Sequence, residues 1–350
     1  MQRRRFIETV AGGLLAEAAL KAKAAAPRSE EQRFFRTRGV VITAPDLTLE
    51  DWPERAARAD LTTIALHDGL SPRRVAKFIQ SPEGVQFLAK CRKLGLQVEY
   101  ELHAMSDLLP RHLFSKDPAM FRMNDKGERV ADNNLCVSSK DALKVAGKNA
   151  LEIAALLTPT TGRYFYWGDD AAPWCHCPQC APLSDSDQAL TVNNHLLKAL
   201  RTRDPKAQLA HLAYANTLPA PKSVKPVPGV FLEFAPINRQ YDVPFEQSGN
   251  PNNQRHLEAL DANLAVFGRE GAQALEYWLD DSLISHYKKP AVKVPFHPEA
   301  FAADLTTYGS RGIRHITSFA VYIDREYVRM YGDPPLDVYG EKLRRWRPAK

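Results

Sequence analysis

From Arg38 onward, short apolar runs alternate with longer stretches whose apolar residues recur every three to four positions, which is the pattern of parallel strand–helix–strand units. Eight runs stand out, at residues 40–43, 61–67, 96–103, 164–167, 208–214, 230–234, 275–279 and 315–323. Amphipathic stretches separate most of them, at 49–59, 73–94 with a break at Pro82, 140–157, 185–202, 253–267 and 299–308, and a last one at 337–346 closes the chain. Between the fifth and sixth runs, Pro219, Pro221, Pro226 and Pro228 leave little room for a helix. Eight strands with intervening helices predict a closed (β/α)₈ TIM barrel, one domain over residues 36–347. An open doubly wound sheet is the structural alternative, and no Gly-rich phosphate loop follows an early strand to support it.

Two insertions are long: residues 105–139 after the third strand and 235–252 after the sixth. Loops that follow barrel strands gather at the C-terminal face, where a substrate would be enclosed.

Composition adds little to this picture except at the N-terminus. The chain has 350 residues, 44% hydrophobic and 25% charged, which suits a globular domain with a substantial core. Gln2-Arg3-Arg4-Arg5-Phe6-Ile7-Glu8, a weakly apolar stretch from Val10 to Ala16, and small residues around Ala24 read as a twin-arginine export signal over residues 1–26. That reading places the mature protein in the periplasm or outside the cell. The apolar stretch is too short to span a bilayer, and no later segment approaches the ~20 apolar residues a span requires. The leader's five basic residues exceed its two acids by three, so half of the formal net charge of +6 leaves with it. The remaining Lys and Arg are interleaved with acids, which excludes the concentrated basic stripe that nucleic-acid binding needs.

The chemistry-bearing residues cluster where the strands end. Tyr164-Phe165-Tyr166-Trp167 runs into Gly168-Asp169-Asp170, and adjacent carboxylates at a barrel mouth can shift each other's pKa. The sixth run ends in Leu232-Glu233-Phe234, and the seventh in Tyr277-Trp278-Leu279-Asp280-Asp281. The second ends in His67-Asp68, the third carries Glu101 and His103, and the eighth offers Tyr322 and Asp324. Carboxylates at strand ends are costly unless solvated or paired, so their recurrence points to a site. A core ion pair remains the plain alternative for Glu233, and a helix cap or a metal-free turn for the aspartate pair.

Trp167, Trp174, Tyr214, Trp278 and Tyr322 lie at or near those same ends. Sugars are bound by aromatic faces for their CH groups and by acids and amides for their hydroxyls, so this mixture favours a carbohydrate partner. The candidate catalytic residues are Asp170, Asp169 and Glu233. Asp281, Trp278, Tyr214, Tyr322, Trp167, His67, Glu101 and His103 are the candidate substrate contacts.

Directly after the aspartate pair comes Trp174-Cys175-His176-Cys177-Pro178-Gln179-Cys180. Three thiols in so short a span resemble part of a structural zinc site, with His176, Cys136 or water as fourth ligand. A disulfide, which export would favour, and free or redox-active thiols stay open beside it. In each case the segment would pin the loop that carries Asp169 and Asp170. Catalysis itself requires no cofactor in this reading.

The stretch from Lys116 to Cys180 resembles a family of glycosidase-like barrels long known only as a domain of unknown function, some of whose members are endo-β-N-acetylglucosaminidases acting on complex N-glycans. The resemblance rests on the aspartate-bearing fourth strand followed by Trp174-Cys175-x-Cys177-x-x-Cys180, and on Asp125-Lys126-Gly127-Glu128 and Asn134-Leu135-Cys136-Val137. It continues through Phe234-Ala235-Pro236, residues 253–267, Pro295-Phe296 and Ala303-Asp304-Leu305. It implies a glycoside hydrolase acting on a glycan outside the cytoplasm. The Asp169-Asp170 pair is also similar to that of hexosaminidases that use the substrate acetamide as nucleophile. On this basis Asp170 is the expected general acid/base, with Asp169 orienting an acetamide or Glu233 acting as nucleophile or base. Carboxyl groups about 5 Å apart would mean retention, and roughly 6.5–9.5 Å inversion. The rival readings are a non-catalytic glycan-binding barrel and a metal or redox protein centred on the cysteines.

Overall fold

In the computed structural model, residues 33–348 are described apart from 248 and 294, so the leader over 1–26 lies outside the described residues. Eight parallel strands, β1 (Thr37–Thr43), β2 (Thr63–Asp68), β3 (Gln97–His103), β4 (Arg163–Trp167), β5 (Gln208–Ala213), β6 (Val230–Phe234), β7 (Gln273–Glu276) and β8 (His315–Phe319), pair in chain order. β8 returns to β1, so the sheet closes on itself as a (β/α)₈ barrel. From Phe34 onward the chain is one compact unit.

Around the barrel lie α1 (Trp52–Arg58), α2 (Pro72–Ile79), α3 (Pro82–Lys93), α4 (Met105–Leu108), α5 (Lys140–Leu156) and α6 (Asp185–Leu200), followed by α7 (Pro251–Phe267), α8 (Asp281–Ile284), α9 (Pro298–Ser310), α10 (Arg325–Tyr331) and α11 (Leu336–Arg345). The starts follow local chemistry. Ser71, Ser81, Ser139 and Ser184 accept backbone N–H bonds at the N-termini of α2, α3, α5 and α6, satisfying donors that the first turn leaves free. The break at Pro82 is therefore a helix start, with Ser81 capping and proline at the first helical position.

No α-helix joins β5 to β6 among the described residues, as the prolines predict. The crossover is held instead by Asp187 of α6, which accepts N–H bonds from Lys222 (3.0 Å), Ser223 (2.8 Å) and Val224 (2.8 Å). One buried carboxylate thus supplies the acceptors that a helix would have provided internally.

Strand parity sorts the core into two layers. Val41, Ala65, Phe165, Trp167, Ala210, Phe231, Leu275 and Phe319 fill the barrel, while Val40, Ile42, Ile64, Leu66, Val98, Leu102, Leu232 and Ile316 pack outward with the helices. The inward set also contains a polar layer. Gln273 donates to Glu101 (3.2 Å) and Thr317 (3.2 Å), with Glu233 at 3.4 Å. Arg163 donates to Gln273 (2.9 Å) and lies 4.0 Å above the Phe231 ring. This layer lies beneath the barrel mouth, and it leaves Glu101 Oε2 and Arg163 Nε without a hydrogen-bond partner among the described residues.

β7 departs from the sequence expectation. The apolar run 275–279 predicts a strand ending at Leu279, but the sheet stops at Glu276. Tyr277 continues the inward parity, whereas Trp278 and Leu279 leave the sheet for the outer core. The run is apolar because its residues enter two different hydrophobic layers.

Candidate functional site

The loops after the strands enclose a cavity of about 330 Å³ at the C-terminal face. His67, His103, Trp167, Tyr277 and Phe319 form its floor, and Tyr214, Tyr287 and Tyr322 its upper wall. Leu212, Ala235, Ile237 and Leu275 give it an apolar side. Two carboxylates reach it: Asp170, from the turn after β4, and Asp280, from the turn after β7.

Asp170 is the more open of the two, with 59% of its side chain exposed. Tyr214 donates its hydroxyl to Asp170 Oδ1 at 2.9 Å. His103 Nδ1 donates to the Gly168 carbonyl at 2.6 Å, which turns Nε2 toward Asp170 at 3.8 Å. His67 makes the analogous bond to the Glu101 carbonyl at 2.7 Å. Burial, reinforced by His103, pushes the His67 imidazole down to about 4, so it lines the floor in its neutral form.

Asp280 caps α8, with Oδ1 accepting from the Ser282 N–H (3.0 Å) and hydroxyl (2.6 Å). Burial raises its carboxyl to about 6 in spite of those donors, so it can carry a proton near neutrality. Asp46, buried behind the wall, accepts the Tyr322 N–H at 3.0 Å and fixes that residue in a left-handed conformation, φ +72°. Tyr322 is thereby turned into the cavity, with the Lys289 ammonium 4.9 Å over its ring.

Of the sequence-derived candidates, Asp170, Tyr214, Tyr322, Trp167, His67 and His103 come together in this cavity. The others do not. Asp169 is turned away and bound by Arg111 (2.6 Å) and the Asn134 N–H (2.6 Å), so it holds the turn. A separate recess of about 40 Å³ beside Asp169 and Trp174 is too small for a sugar ring.

Glu233 and Glu101 face inward but lie one layer too low, fully buried in the polar barrel core. The Trp167 indole donates to Glu233 at 2.7 Å and separates it from the cavity. Burial raises Glu233 to about 8, and burial with the neighbouring Glu233 raises Glu101 as well.

Trp278 is an outer-core residue, donating to Asp304 (2.9 Å) and packed edge-on against Phe301. Asp281 is buried as the first residue of α8, and it is Asp280 that lines the cavity. Trp278 keeps the outward parity of the even positions of β7, whereas the start of α8 breaks the alternation, so Asp280 and not Asp281 faces the cavity. In the sequence Asp280 stands out only as the neighbour of Asp281, and no motif there singles out Tyr277, Phe319 or Tyr287.

A buried charged cluster lies outside the barrel, on the outward face of β7. Glu276 accepts from Arg239 (3.0 Å) and from the Tyr308 hydroxyl, while Arg239 also donates to Asp304 at 2.6 Å. All three charged groups are fully buried, and none touches the cavity.

The three cysteines of the post-β4 segment converge with Cys136, all four Sγ atoms lying within 4.8 Å of one another. His176 is excluded from the group, since its Nδ1 pairs with Asp125 at the surface, 2.5 Å away.

Residues 78–266 match the family model described as a domain of unknown function, DUF4838. No curated protein matches the chain. Among solved structures it is similar to a tri-modular GH5 endo-β-1,4-glucanase from Bacillus licheniformis, with 8% identity and a TM-score of 0.51 over 90% of this chain and 61% of that one. It is also similar to a GH42 β-galactosidase from G. stearothermophilus, with 12% identity and a TM-score of 0.51 over 89% of this chain and 57% of that one. The chain thus spans about three-fifths of both enzymes, and at these identities the likeness is one of fold. No described helix is long and apolar enough to cross a membrane.

Proposed function

The chain belongs to the DUF4838 family, and from that premise we propose that it is a glycoside hydrolase whose reacting carboxyl groups are Asp170 and Asp280. The observation that carries the reading is their meeting in one aromatic-walled cavity at the C-terminal face, delivered by the turns after β4 and β7. Glycosidic cleavage needs one carboxyl group to protonate the leaving oxygen and a second to attack the anomeric carbon or activate water. Asp280, raised to about 6 by burial, suits the acid. Asp170, held as an acceptor by Tyr214, suits the nucleophile or base.

Trp167, Tyr214, Tyr277 and Tyr322 offer apolar faces for a pyranose ring, and His67 and His103 offer partners for its hydroxyls. The proposed substrate is a glycan outside the cytoplasm, reached through the twin-arginine leader read over residues 1–26. An N-acetylhexosamine unit, which the resemblance to endo-β-N-acetylglucosaminidases suggests, could place its acetamide methyl against Ala235, Ile237 and Leu275. No cofactor takes part in the proposed chemistry.

Digestion of a glycan library with mass analysis of the products tests the proposal. Cleavage by the wild type and its loss in Asp170→Asn support it; full turnover by Asp170→Asn defeats the assignment. A glycan-binding barrel without catalysis is the second reading. It is favoured by the burial of Glu233 and the pairing of Asp169 with Arg111, which remove two acids from the mouth. Glycan binding that persists in the Asp170→Asn, Asp280→Asn double variant, with no reducing ends released by the wild type, would establish it.

A further inference from the structure

We propose that Cys136, Cys175, Cys177 and Cys180 form a closed tetrathiolate site for one zinc ion, which fastens the loop after β3 to the loop after β4. This goes beyond the proposed activity and holds whether or not the barrel turns over a glycan.

The geometry is that of a metal site. Cys136 Sγ lies 3.7 Å from Cys177 Sγ and 3.8 Å from Cys180 Sγ. Zinc–sulfur bonds of about 2.3 Å in a tetrahedron separate the sulfurs by roughly 3.8 Å. A disulfide needs sulfurs about 2.05 Å apart, and four thiols packed at metal-site spacing have no pairing that meets this. All four cysteines are buried, so no coordination position faces solvent, which is the arrangement of a structural ion.

The surroundings suit thiolates. The Met123 N–H donates to Cys175 Sγ at 3.3 Å, the Arg129 guanidinium lies 3.7 Å from the same sulfur, and Ser138 Oγ stands 3.1 Å from Cys136 Sγ. N–H donors and one nearby cation offset the negative charge that four thiolates and a divalent ion retain. An all-sulfur donor set selects a soft or borderline ion over magnesium or calcium.

The site lies between two loops that position Asp170. Cys136 follows Asn134 by two residues, and the Asn134 amide accepts from the Asp169 N–H (3.0 Å) and donates to the carbonyls of Ala172 (3.2 Å) and Pro173 (3.0 Å). Cys175 comes two residues after Pro173. The ion would therefore anchor both ends of the stitch that holds the Asp169–Asp170 turn.

Metal analysis of the purified full-length chain should find one zinc per molecule, resistant to desalting. Mercurial titration should release it as four thiols react, leaving Cys91, buried apart in α3, as the fifth. Cobalt exchanged into the protein should show the intense sulfur-to-metal bands of a tetrahedral tetrathiolate complex. Removing zinc with a chelator should increase proteolytic cutting in residues 117–139 and 168–184 before the rest of the barrel is cut. Cys136→Ser should lose zinc, and the wild-type titration decides the matter if that variant does not fold. Metal-free protein with four free thiols, a disulfide found by non-reducing mass analysis, or iron in place of zinc would each overturn the proposal.

Discussion

The Tyr214 hydroxyl donates to Asp170 Oδ1 across 2.9 Å, joining the turn after β4 to the end of β5 at the lip of the cavity. A hydrogen bond to a charged group contributes about 1.5–3 kcal/mol. If Asp170 reacts as a carboxylate, Tyr214→Phe should lower kcat/KM by roughly 10- to 150-fold, the same energy expressed as a rate. Thermal stability should change little, since Tyr214 stands at the rim. Steady-state kinetics beside a melting curve checks this.

Asp280 as the proton donor must be protonated to act, and burial places its carboxyl near 6. The alkaline limb of kcat/KM should therefore fall as pH rises through about 6. Asp280→Asn should remove that limb and reduce turnover by about 10²–10⁴-fold, the usual contribution of general acid catalysis. An unchanged alkaline limb in the variant would assign the proton to another group.

Glu233 bears on stability rather than turnover. Its carboxyl is raised from 4.5 to about 8 by burial, so between those values the folded protein holds a proton that the unfolded chain releases. The stabilisation is complete below about 4.5 and is lost as pH rises through about 8. Glu233→Gln keeps an acceptor for the Trp167 indole and cannot ionise, so its urea midpoint should decline less than that of the wild type over this window. Parallel urea titrations at several pH values measure the difference in slope.

Arg239 bridges Glu276 and Asp304 in the outer core, all three fully buried. Removing one partner leaves the others desolvated and facing each other, which typically costs about 3–5 kcal/mol. Arg239→Ala should lower the urea midpoint accordingly. Circular dichroism in urea gives the value, and a loss under about 1 kcal/mol would mean that water reaches the two acids.

Much of the fold was legible because strand and helix signals agreed locally. The run from Val230 to Phe234 is bounded by Pro228-Gly229 and Pro236, and the structure keeps those bounds. β7 slipped because apolar character does not say which layer a residue enters, and Tyr277 and Trp278 diverge at that point. The seven-residue α10 was missed for lack of length to show a period, although Asp324 caps it by accepting the Tyr327 N–H.

The site was harder to read. Glu233 and Ala235 share a parity, yet only Ala235 reaches the cavity, since depth in a barrel depends on the stagger between strands. Asp280 and Asp281 differ by one position, and a helix start decides which of them faces inward. The choice of Cys136 over His176 beside the other thiols depends on a loop 40 residues upstream folding back, which spacing within the motif does not encode.

The barrel is shut by β1 against β8, where Thr37 meets the His315 ring at 2.7 Å across 278 positions of sequence. During synthesis, every earlier strand can find its neighbour while the ring still gapes at one seam. The unpaired backbone of β1 must wait, exposed, until nearly the whole polypeptide has left the ribosome. A chain shortened before His315 would keep that seam open for good, with two free sheet edges ready to join those of another copy.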